Sequence, residues 1–177
     1  MPIDTKDSLL IETKKATDIA VTWYAAIPAN EFFVRHGAAW SASDNVDHLI
    51  RAIRMVVLAL RLPKFLLRIL FGVVTRPSRS YAEVCKAYED VLATGAGAGG
   101  VYLPEQQSPT NPQKAKEILL ERLTKTGQSF ADAIQSWPED ALDQYQLPHP
   151  LLGKVTVREM LFFSIYHVLR HARPEGD

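Results

Sequence analysis

Apolar residues recur every three or four positions along nearly the whole chain, and this rhythm limits the possible folds more than any single motif does. Between turn signals no segment of four or more residues alternates apolar with polar, apart from a short piece at 101–103, so no sheet of any size is expected. A first helix is predicted from residue 4 or 5 to 27, with Leu9, Ala16, Ile19, Ala20, Trp23 and Ile27 on its apolar face and Pro28 as its stop. Ser41 or Ser43 caps a second, with Asp44 in its first turn and Val46, Leu49, Ile50, Ile53, Val56, Val57 and Leu60 leading to Pro63. A shorter helical segment continues over 64–73, and Ser80 with Glu83 forms a capping box for another after it. A third long helix runs from Asn111-Pro112 to Trp137-Pro138, and Thr156 with Glu159 opens a fourth that Pro174 closes. Four long amphipathic helices predict an all-α four-helix bundle, a fold that builds metal and cofactor sites from inward-facing side chains.

At 177 residues the chain has the size of one ordinary domain, expected to span 1–177 and able to bury about two-thirds of its unfolded surface without a disulfide or metal staple. Cys85 is alone and makes no internal disulfide, which fits a reducing compartment, so a cytoplasmic location is expected. The mixed-charge N-terminus has neither a basic region nor an apolar run of the signal-peptide kind. Residues 55–74 are long enough to span a bilayer, but Arg61, Lys64 and Arg68 lie through them and Pro63 interrupts them, so no transmembrane span is expected. Residues 94–113 are rich in Gly and Pro and lack a periodic pattern, which makes them a loop, either over a site or an excursion from the fold. Their glycines end in no GKT or GKS, and a phosphate cradle is not indicated.

The 20 Lys and Arg balance 20 Asp and Glu, which argues against a general polyanion binder. The balance is an average. Between Asp47 and Glu83 stand Arg51, Arg54, Arg61, Lys64, Arg68, Arg76 and Arg79 with no acidic residue, so the rest of the chain carries the compensating negative excess.

The histidines carry the most chemistry. His167 and His171 are four apart on a very apolar helix, which places both imidazoles on one face within reach of one metal ion. His48, one turn after Asp44 on the second helix, is the natural third ligand. Three neutral imidazoles leave coordination positions open for water or substrate and suit Zn, Ni, Fe or Mn.

Trp40-Ser41 followed by Asn45-Val46-Asp47-His48-Leu49 resembles the W-S-x-x-E-x-x-x-H-L segment of the DinB-like/YfiT-like superfamily, with Asp44 where many members carry Glu. His149-Pro150, Gly153, Thr156, Glu159, Leu161, His167 and His171 are similar to that superfamily's H-P-x-x-G-x-x-T…E-x-L…H-x-x-x-H ending. The resemblance implies a four-helix bundle of up-down-down-up topology with a divalent metal held by His48, His167 and His171. It also implies a small-molecule substrate, with relatives acting as thiol S-transferases on low-molecular-weight thiols or as an isomerase, and it implies no nucleic-acid partner. The basic amphipathic segment at about 61–79 lies outside the pattern and could cover the open end of the bundle, form an interface or lie on a membrane.

His149 precedes a proline in the loop before the last helix and could line the mouth of a site, act as an acid or base, or do neither. Asp44 is read either as orienting the second nitrogen of His48 or as a first-turn carboxylate serving the helix dipole. His36 reads as a loop residue, Ser164 as bonded to its own helix backbone, Cys85 as a small buried residue, and Trp23, Tyr24 and Phe163 as core. Two functions follow: a metal-dependent transferase or hydrolase, or a non-catalytic helical module, as a homodimer or on a membrane surface, using the basic segment.

Overall fold

The computed structural model describes residues 3–172, and the expected stop at Pro174 lies outside them. The described residues are mostly helical: α1 (Lys6–Ala26), α2 (Ala42–Leu60), α3 (Lys64–Phe71), α4 (Tyr81–Leu92), α5 (Pro112–Gln135) and α6 (Val157–His171). Each of the four long helices begins where a side-chain oxygen takes an orphan backbone N–H. Thr5, Ser41 and Thr156 cap α1, α2 and α6 in reciprocal boxes, and Asn111 caps α5 with Pro112 in its first turn.

The absence of a sheet is corrected in one place. β1 (Gln146–His149) pairs antiparallel with β2 (Gly153–Thr156), Leu147 facing Val155 with both buried. Gly153, at φ 69°, makes the left-handed turn into β2. Residues 101–103 do not extend as a strand but lie in and beside a 3₁₀ turn, Gly100–Tyr102.

α5 packs against α1 and α2, and α6 packs against the same two, so the four long helices close a ring around one core. Gly127 allows the close approach of α5 to α1, since a Cβ there would overlap the side chain of Thr17. At one end Trp137 is buried and its indole N–H donates to the Leu60 carbonyl at 2.9 Å, tying the end of α2 to the end of α5. Lys116 reaches across from α5 to the terminal carbonyls of α1 at Ala25 (2.7 Å) and Ile27.

α3 lies on β1 and α4 on α6, outside the ring. Arg76 and Arg79, in the link between α3 and α4, turn inward to the fully buried Glu159 at the start of α6. Arg76 binds it at 2.5 and 2.7 Å, and Arg79 through its backbone N–H at 2.7 Å and its guanidinium at 3.1 Å. Burial alone would raise the Glu159 carboxyl. These hydrogen bonds outweigh it and hold the pKa at about 2. Trp23 is corrected from core to surface, being 41% exposed, and Cys85 is only half-buried.

No helix among the described residues is long and apolar enough to cross a membrane.

Candidate metal centre

His48 projects from α2 and His167 and His171 from α6, and one nitrogen from each lies within 4.8 Å of the others. The capping box at Ser41 fixes the start of α2 and so the register of His48; that at Thr156 does the same for the two residues of α6. His48 and His167 are buried and their Nε2 atoms stand 3.0 Å apart. Trp40 stacks on the His171 ring at 6.3 Å and leans on His48 at 5.0 Å, closing one side of the cluster.

The tautomers follow from fixed partners. His48 Nδ1 is 2.7 Å from the Tyr102 carbonyl, which can only accept, so the proton sits on Nδ1 and the lone pair on Nε2 faces His167 Nε2. Asn45 donates its Nδ2 to the Ser41 carbonyl at 2.8 Å, which turns its Oδ1 toward His171 Nδ1 at 2.7 Å. His171 therefore also presents an unprotonated Nε2. Burial lowers all three pKa values: His48 moves down, His167 lies well below its ordinary value, and His171 falls to about 3, the last two lowered further by neighbouring imidazoles. Three neutral imidazoles, with the Nε2 lone pairs of His48 and His171 beside the His167 ring, form a donor set that could hold a divalent metal ion.

Asp44 does not serve His48. Its carboxylate accepts the Ser41 N–H at 2.9 Å and the Arg35 guanidinium at 2.5 Å, the first-turn role. Asn45 and the Tyr102 carbonyl do the orienting, roles not read from the sequence.

A cavity of about 370 Å³ opens beside the cluster, with His48, His167 and His149 in its wall. The rest of its lining is chiefly apolar, including Met55, Val56, Leu62, Phe71, Met160 and Phe163. Gly97, Ala98, Gly99 and Tyr102 also line it, so the glycine-rich loop lies over the site. Asp47 anchors that loop: its carboxylate takes the Glu105 N–H at 3.3 Å while holding Arg51 at 2.7 Å.

His149 is buried against Phe163, with ring centroids 4.1 Å apart. Its Nδ1 accepts the N–H groups of Leu151 (3.1 Å) and Leu152 (3.0 Å), which places the proton of the neutral ring on Nε2. Burial first, then the Arg79 charge, lowers its pKa to about 4. His36 is an exposed loop residue, and Ser164 donates to the Met160 carbonyl at 2.8 Å, both as expected. Phe163 and Tyr24 are buried, Phe163 in the cavity wall as well.

A family described as the DinB superfamily matches residues 12–173. Among solved structures, the colibactin self-resistance protein ClbS in complex with double-stranded DNA shares the fold at a TM-score of 0.53. Identity is 17%, and the match covers 96% of this chain and 91% of that one. No curated protein matches. The ClbS complex corrects the expectation of no nucleic-acid partner, because this fold is compatible with binding duplex DNA. The physical reason is that DNA senses local charge, whereas a net charge of zero is a whole-chain average.

Proposed function

The chain belongs to the DinB superfamily, and from that premise we propose that His48, His167 and His171 hold one divalent metal ion in an enzyme site for a small molecule. One observation carries this reading: hydrogen bonds to Tyr102 and Asn45 leave the Nε2 atoms of His48 and His171 unprotonated beside His167. A divalent ion held by three imidazoles, whether Zn, Ni, Fe or Mn, would lower the pKa of a bound water, to about 7 in the case of zinc, and would deprotonate a bound thiol. A transferase using a low-molecular-weight thiol, or a hydrolase, fits this chemistry. The apolar wall excludes water and orients the carbon skeleton of the substrate, and the loop at Gly97–99 and Tyr102 covers it.

In this reading His149 is a fixed hydrogen-bond donor. Because its Nδ1 is occupied by two backbone N–H groups, it offers Nε2–H to an oxygen of the substrate and is not the general base. The chain forms a single domain whose four long helices run up-down-down-up.

Duplex DNA stays a partner class to measure. A groove of about 320 Å³ between α2 and α5 gathers Arg54, Arg61, Arg122 and Lys125, and a gel shift at two salt concentrations reads its affinity.

Elemental analysis of untagged protein tests the metal site. About one ion per chain is expected. It is retained in His149→Ala and lost in His48→Ala, His167→Ala and His171→Ala. Stoichiometric metal in folded His48→Ala would overturn the assignment.

A further inference from the structure

We propose that α3 and the adjoining rim of the cavity form a docking face for an anionic lipid surface, through which an apolar substrate reaches the histidines. The docking claim stands on surface features alone, and only the substrate clause rests on the metal-site reading.

α3 is apolar on both faces. Leu67 is buried and Phe71 lines the cavity, which accounts for its inner face. Its outer face presents Phe65 (67% exposed), Ile69 (73%) and Leu70, followed by exposed Val73. Met55 and Leu58 of α2 line the cavity and are themselves exposed, so they form its lip, while exposed Val101 and Leu103 flank the loop residue Tyr102 in the same wall. Fully burying one such side chain is worth about 1.5–3 kcal/mol, and a run of them around one opening marks an interaction surface.

The charges select the partner. Arg54, Arg61, Lys64 and Arg68 alternate with these apolar residues, and no acidic residue lies between Asp47 and Glu83. Arg54 and Arg61 form no ion pair among the described residues. Lys64 and Arg68 lie over the rings of Trp137 (4.6 Å) and Tyr145 (5.0 Å) and keep their charge uncompensated by a carboxylate. A second copy docked two-fold on this face would oppose cation to cation. Duplex DNA would satisfy the cations and leave Phe65, Ile69 and Leu70 in water. An anionic bilayer interface satisfies both at once, phosphates meeting the cations and acyl chains the apolar residues. The cavity behind the lip is itself mostly apolar and has its imidazoles in one part of the wall, a shape suited to a lipophilic molecule with one reactive group.

Vesicle sedimentation tests the face, using phosphatidylcholine alone and phosphatidylcholine mixed with phosphatidylglycerol. The full chain is expected to bind the anionic vesicles at least about tenfold better than the neutral ones, and high salt weakens it. Phe65→Ser/Ile69→Ser abolishes binding and Arg54→Glu/Arg61→Glu weakens it, with thermal midpoint and metal content unchanged in both. Absence of binding to anionic vesicles, or equal binding by the Phe65→Ser/Ile69→Ser variant, overturns the proposal. So does a dimer that Phe65→Ser/Ile69→Ser splits, or duplex DNA binding that it abolishes. Metal content on the same samples separates the two readings: metal without vesicle binding sinks only the docking face, and vesicle binding without metal sinks only the metal site.

Discussion

Asn45 joins the second and last helices through one amide, giving Nδ2–H to the Ser41 carbonyl at 2.8 Å and accepting the His171 Nδ1–H at 2.7 Å. The first bond sets which way the amide points and the second sets which nitrogen of His171 is free. Asn45→Ala is therefore expected to weaken metal affinity by about 10- to 100-fold in competition with a coloured chelator, while folding is retained. Unchanged affinity would mean that His171 is held by packing against Trp40 alone. The three histidines were legible in the sequence because an imidazole is a ligand by type and a spacing of four places two on one helix face. Asn45 stood in the same segment unread, since an amide signals nothing until its partners are known. The Tyr102 carbonyl could not be read at all. It is a backbone atom that any residue would supply, brought to His48 by a loop 54 positions away.

The start of α6 gathers a buried carboxylate and two guanidinium groups. Glu159 belongs to its capping box and also gathers Arg76 and Arg79, and its pKa of about 2 lies below the ordinary 4.5. A carboxyl depressed on folding gives stability that is complete above the ordinary value and is lost as pH falls from about 4.5 toward 2. Glu159→Gln is expected to lower stability near pH 7 by about 3 kcal/mol, since two guanidinium groups lose their buried counter-charge. In urea melts, the gap between wild type and variant should close as pH falls through that window. A gap that stays constant to the lowest pH would show that the carboxylate charge does not stabilise this junction. The box itself was legible, because a hydroxyl followed three residues later by an acid is a local pattern. The inward turn of Arg76 and Arg79 was not, since the contact spans 80 or more positions and the basic stretch looks uniform along the chain. The hairpin of β1 and β2 escaped for another reason. Its strands have four residues each and Pro148 interrupts the first, too little length for alternation to show.

For the molecule as a whole, the ion-pair network at Glu159 and the histidine cluster lie at different places. The helices and their order were legible because each repeats its own apolar period. The cavity was not, since its wall is assembled from α2, the glycine-rich loop, the hairpin turn and α6, and no one segment carries its apolar character. The same assembly makes the centre a test of global stability, because an ion held by α2 and α6 together binds the folded chain and not the separated helices. At a free metal concentration of about 1,000 times Kd, linkage adds about 4 kcal/mol. For a chain of this size each kcal/mol moves Tm by about 2–4 °C, so stripping the ion with a chelator should lower Tm by about 10 °C. Returning zinc or nickel should restore it in a concentration-dependent way. His48→Ala should melt at one temperature whether or not metal is present, since two histidines of a single helix no longer tie α6 to α2. If the variant and wild type respond equally to metal, the ions are acting at surface groups such as exposed His36, and the buried cluster is not where they bind.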